Sequence, residues 1–125
     1  MFTQQLLDYF YNPRNAGELP SPAITAEATN PACGDILQLS VLVKDGMIEA
    51  VRFKAQGCVA SVACGSILTE IAKGKTLAEA AQIKAEDLSN SLGGLPQHSR
   101  HAALLAIDAL QTVIKSAQKT PRETP

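Results

Sequence analysis

Four side chains with metal-binding or nucleophilic chemistry fall where one structural element hands over to the next: Cys33, Asp35, Cys58 and His101. Cys33 and Asp35 form a Cys-x-Asp turn, and Cys58 and His101 each stand at or near the start of a helix-like stretch. Free backbone N–H groups at a helix start favour an anionic group such as a thiolate. Two thiolates, an imidazole and a carboxylate make an acceptable tetrahedral set for zinc. Thiolates also suit an iron–sulfur cluster, with histidine as a known replacement ligand. The same groups can be written as a thiol enzyme, with Cys58 as nucleophile, His101 as base and Asp35 as orienter. No recognisable nucleophile signature accompanies them. Cysteine is also often no more than a small buried hydrophobe, and the spacing holds no Cys-x-x-Cys pair.

The flanking stretches say how such residues could meet. Leu37, Leu39, Val41 and Val43 alternate with Gln38, Ser40, Leu42 and Lys44, the pattern of a strand with one buried face. Asp45-Gly46 is a two-residue hairpin signal. On the return strand Met47, Glu49, Val51, Phe53 and Ala55 share one face, with Ile48, Ala50, Arg52 and Lys54 on the other. Val51, Phe53 and Ala55 mark the first set as the core face, with Glu49 an imperfection. Cys33 just precedes the first strand and Cys58 just follows the second, so antiparallel pairing brings both to one end of a sheet. Ile24 to Ala28 alternates weakly and suits an edge strand.

Helices frame this hairpin. Thr3 caps a first helix carrying Leu6, Leu7, Phe10 and Tyr11, and Asn12-Pro13 stops it. Ala60 to Lys73 reads as an amphipathic helix burying Ala60, Cys64, Ile67 and Ile71, with Gly74 as its stop. Cys64, six residues past Cys58 on that helix, is rotated by roughly 240° from it and belongs to the core. Thr76 with Glu79 makes a capping box, and Ala85 to Ser91 is another short helix. A last helix runs from about Ser99 to Lys119, with His101 in its first turn and Asp108 on its surface. His98 reads as a surface group, and Arg14 and Lys54 as solvated charges. Residues 1–119 are expected to form one domain and residues 120–125 a frayed tail.

The 125 residues carry 11 basic and 12 acidic side chains and no tryptophan, so no basic footprint for nucleic acid stands out. No apolar run is long enough to span a bilayer, and the first residues show no secretory signal, which makes a cytoplasmic protein the expectation. Three cysteines at irregular spacing point away from a disulfide framework.

The chain resembles the iron–sulfur cluster assembly scaffolds of the IscU/NifU type along nearly its whole length. The carrying segments are Tyr11-Asn12-Pro13-Arg14-Asn15-Ala16-Gly17, Asn30-Pro31-Ala32-Cys33-Gly34-Asp35, Ile48 to Cys58 with its Phe-Lys-x-x-Gly-Cys ending, and Leu68-Thr69-Glu70 with Lys73-Gly74-Lys75. The resemblance implies an α+β fold, a small three-stranded antiparallel sheet with helices packed on one face. It implies a non-enzymatic scaffold that takes sulfur from a cysteine desulfurase and iron from a donor, holds a labile 2Fe–2S cluster and passes it to acceptor proteins. It assigns Cys33, Asp35, Cys58 and His101 to the cluster or to a zinc or iron ion, with Asp35 keeping the cluster labile. Two departures stand out. Ala102 occupies the place of the family's third cysteine, and Leu95-Pro96-Gln97-His98-Ser99 replaces the Leu-Pro-Pro-Val-Lys segment that a dedicated chaperone reads. A divergent member that holds zinc and serves as a partner-binding module is the alternative reading.

Overall fold

The computed structural model describes residues 2–31 and 34–119. The order of elements is α1 (Gln4–Tyr11), β1 (Ile24–Asn30), β2 (Asp35–Lys44), β3 (Met47–Gln56), α2 (Val59–Ala72), α3 (Leu77–Ala80), α4 (Ala85–Ser91), a single 3-10 turn (Gln97–Ser99) and α5 (Arg100–Lys119). The strands form one antiparallel sheet in the order β1-β2-β3. Asp45 and Gly46 both take positive φ, 55° and 77°. That is the backbone a two-residue turn needs to match the strand twist, and it explains why Asp-Gly stands there.

One face of the sheet is apolar and covered. Ala28, Leu37, Leu39, Val41, Val51 and Phe53 are buried on it, beneath α2 and α5. The opposite face carries the exposed Thr25, Glu27, Arg52 and Lys54. Gly65 of α2 lies directly over Phe53, where a Cβ would come 2.6 Å from the ring, so helix and strand approach closely. No helix among the described residues is long and apolar enough to cross a membrane.

Two expectations are corrected. Ile48, not Met47, faces the core: Ile48 is 1% exposed and Met47 43%. Leu42 pairs with Ala50 but Val43 pairs with Ile48, so Glu49 is an extra residue in β3. This bulge switches the facing of everything before it and removes the imperfection at Glu49. Helix α2 is not amphipathic but central. Its buried residues include Ser61, Ala63, Gly65, Ser66 and Thr69 as well as Cys64, Ile67 and Leu68. The helix is buried along most of its length because α1, α4, α5 and the sheet all pack against it.

The segment after α1 is a clip, not a plain loop. Arg14 N–H donates to Ser66 Oγ (2.8 Å) and the Asn15 amide to Thr69 Oγ1 (3.1 Å), both on α2. Phe53 N–H donates to the Asn15 carbonyl and Gly17 N–H to the Phe53 carbonyl, so the clip also covers part of the free edge of β3. Arg14 is accordingly not a simple solvated charge. Its guanidinium meets Asp8 at 2.8 Å, approaches Glu70 at 3.7 Å and lies 4.1 Å from the Tyr9 ring centroid. The hydrogen bonds from Arg14 and Asn12 hold the Asp8 carboxyl below its ordinary range. Tyr9 donates to Glu70 at 2.6 Å, and that bond pushes the phenol above its ordinary value. Lys54 pairs with Glu18 at 3.4 Å at the surface.

Candidate functional site

The pleat of β2 determines where Asp35 points. Residues 35, 37, 39 and 41 share a strand face, so the carboxylate enters the same covered side as three fully buried aliphatic side chains. Asp35 is 4% exposed there. The hairpin register places Gln56 opposite Ile36, so Gly57 and Cys58 follow beside Asp35. Gly57 takes φ 145°, and a Cβ on it would lie 2.3 Å from Asp35 Oδ1. Only glycine leaves room for the carboxylate at this corner.

Cys58 is the N-cap of α2, with extended backbone and no capping bond from its side chain. Its sulfur is half-buried and is not used up in holding the helix end. His101 stands in the first turn of α5. Its Nδ1 lies 3.1 Å from the His98 carbonyl, which can only accept, so Nδ1 carries the proton. The other ring nitrogen, Nε2, then faces Asp35 Oδ2 at 3.7 Å. A backbone carbonyl that fixes one imidazole nitrogen while presenting the other is a common arrangement behind metal-bound histidines.

Ligand atoms of Asp35, Cys58 and His101 all lie within 4.8 Å of one another. Around a tetrahedral ion with bonds of about 2.1 Å the donors stand roughly 3.4 Å apart. The three groups therefore fit a metal ion or cluster edge after a small closing movement. They come from the start of a strand and the starts of two helices, elements that the core holds in place. The carboxylate contacts side chains in the first turns of both helices, where the macrodipole favours negative charge.

Cys33, assigned to this site by the sequence, lies outside the described residues, as does the expected tail at 120–125. Cys64 is fully buried, and burial with the added proximity of Cys58 pushes its thiol up to about 12. It is a core residue. Ala102 is fully buried, and His98 is exposed and contributes only its carbonyl. Ser61 was not singled out by the sequence. Its hydroxyl donates to Asp35 Oδ2 at 2.7 Å and lies 3.4 Å from Cys58 Sγ. The only sequence signal for it was its place three residues after Cys58, one turn into the helix.

Comparison with known proteins gives a consistent picture. The family model described as the NifU-like N terminal domain matches residues 1–123. The chain is 40% identical over 114 residues to an iron–sulfur cluster assembly scaffold protein of Archaeoglobus fulgidus, covering 91% of this chain and 74% of the relative. It is 38% identical over 116 residues to a protein of the same description from Aquifex aeolicus, again covering 91% and 74%. The crystal structure of a putative scaffold protein for the SUF system from Fervidobacterium islandicum superposes with a TM-score of 0.74 at 23% identity. The match covers 90% of this chain and 96% of that one, and it bears on the fold alone.

Proposed function

The chain belongs to the NifU-like N-terminal domain family, and from that membership and the geometry of its site we propose that it is an iron–sulfur cluster assembly scaffold. The cluster is cargo. In this reading Cys58, Asp35 and His101 bind it from the described end of the sheet. Cys33 joins them because it precedes Asp35 by two residues, a reach of about 7 Å of chain. Sulfur comes from a cysteine desulfurase and iron from a donor, and an acceptor protein takes the finished 2Fe–2S unit. The role consists of holding and handing over, not of turnover.

The observation that carries this reading is the convergence of a thiol, an imidazole and a carboxylate within 4.8 Å at element starts. A hard oxygen ligand beside soft sulfur suits a site that must let go. Ala102 supports a second reading. With a buried methyl where relatives of this type carry a third thiol, two cysteines, a histidine and an aspartate make a closed tetrahedral set for zinc. The protein would then act as a partner-binding module.

Metal and acid-labile sulfide measured on the chain purified without oxygen or added metal separate the two. Iron and sulfide in equal amounts, directly or after anaerobic reconstitution, are the expected result. Stoichiometric zinc that resists reconstitution selects the second reading, and no metal in either experiment overturns both.

A further inference from the structure

Ser61 occupies the third position of α2, where a serine side chain ordinarily bonds within its own helix start. Here it does not. The N-cap is Cys58, and the Ser61 hydroxyl crosses to another element and donates to Asp35 Oδ2 at 2.7 Å. Donor and acceptor are both buried, with Ser61 at 0% and Asp35 at 4% exposure. A hydroxyl has one hydrogen. With that hydrogen on Asp35, the 3.4 Å approach of Cys58 Sγ meets a lone pair of the same oxygen. Ser61 therefore touches two of the three convergent groups, and its hydroxyl shares Asp35 Oδ2 with the 3.7 Å approach of His101 Nε2.

We propose that Ser61 is a positioning residue that fixes the Asp35 carboxylate in its ligating orientation. The proposal rests on the ligand reading above. Two of the contacts around the carboxylate bear on that orientation, beside the approach of His101 Nε2 to Oδ2 at 3.7 Å. The Ser61 hydroxyl holds Oδ2, and the Cα of Gly57 lies against Oδ1, so close that a Cβ there would overlap it. A carboxylate has about four acceptor sites on its two oxygens, so the Ser61 bond does not by itself exclude ligation. Charge-assisted bonds of this kind behind a ligand typically change metal affinity 10- to 100-fold when removed. The competing explanation is that Ser61 is a buried hydroxyl that found a partner and matters only to folding.

Cobalt(II) titration of the full chain, stripped of metal by chelator, distinguishes the two. Sulfur-to-cobalt charge transfer and the d–d bands report affinity and geometry together. The set is wild type, Ser61→Ala, Asp35→Ala and the double variant, with Ser66→Ala as a buried-serine control. Ser61→Ala adds no bulk and favours the helix, and its melting temperature records any loss of fold. The expected result is an affinity about tenfold weaker in Ser61→Ala with shifted d–d bands. That loss should disappear in the Asp35→Ala background, and Ser66→Ala should bind as wild type does. Equal affinity in Ser61→Ala and wild type, or the same loss with and without Asp35, overturns the proposal and leaves the ligand reading standing. No cobalt binding by wild type, or binding indifferent to Asp35→Ala, overturns the ligand reading and this proposal with it.

Discussion

Two polar clusters among the described residues are built on α2, and they differ in composition. Around Arg14, an arginine, two carboxylates and a tyrosine gather at the surface, with their charges paired to one another. Around Asp35, a carboxylate, a thiol, an imidazole and a hydroxyl gather at the sheet end, and three of them present atoms that can donate electron pairs to a cation. The first cluster is complete as it stands and ties α1 to α2. The second could hold a metal ion. Both coincide with segments that carry the family resemblance, so resemblance alone does not separate a structural clip from a site. What separates them is composition: the first holds the Arg14 guanidinium between its carboxylates, and the second contains no arginine or lysine.

The largest expected difference lies in metal retention. Cys58→Ser should abolish it, and Cys64→Ala should leave it intact, as read by metal content after purification. Retention lost in Cys64→Ala would place that thiol in the site and not in the core. Gly57→Ala should follow. The strained φ and the overlap with Asp35 should cost roughly 1–3 kcal/mol in urea unfolding and weaken metal binding as well. A variant with unchanged metal affinity would mean that Asp35 is not a ligand.

Arg14→Ala tests the other cluster. Loss of an exposed ion pair and a cation–π contact should lower the urea midpoint slightly with metal affinity untouched. A change in affinity would show that the clip and the site are coupled through α2. The burial of Cys64 is tested by pH. The Cys64 thiol, pushed up to about 12 by burial, stays neutral in the folded chain while the unfolded chain ionises. Its contribution to stability is complete below pH 9 and is lost as pH rises toward 12, at up to about 1.4 kcal/mol per pH unit. Urea midpoints between pH 8 and 10.5 should therefore fall more steeply for wild type than for Cys64→Ala. Parallel slopes would show that Cys64 is not held neutral.

Much of this architecture could be read from residue order. Asp45-Gly46 marks the hairpin, and counting outward from it sends Cys33 and Cys58 to one end of the sheet, the end where Asp35 and Cys58 are found, with Cys33 itself outside the described residues. Thr3 and the Thr76–Glu79 capping box behave as their side-chain chemistry requires. What stayed hidden depends on neighbours that one local pattern does not reveal. The bulge at Glu49 becomes visible only when β3 is laid against β2. Ser61, Ser66 and Thr69 look like a polar helix face, yet they are buried because their hydroxyls bond to Asp35, Arg14 and Asn15. The position of His101 rested on helix length and resemblance, and the His98 carbonyl that aims its ring could be found only in three dimensions.

The Asp45–Gly46 turn gives the domain a handle. Strand β2 runs ten residues from Asp35 to Lys44, so the turn stands about 30 Å from the carboxylate. Both turn residues are exposed. A dye or surface tether attached at this end leaves the opposite end clear for a visiting protein. Signals recorded from such an attachment would report the approach of a partner as a change in distance, free of steric interference from the label.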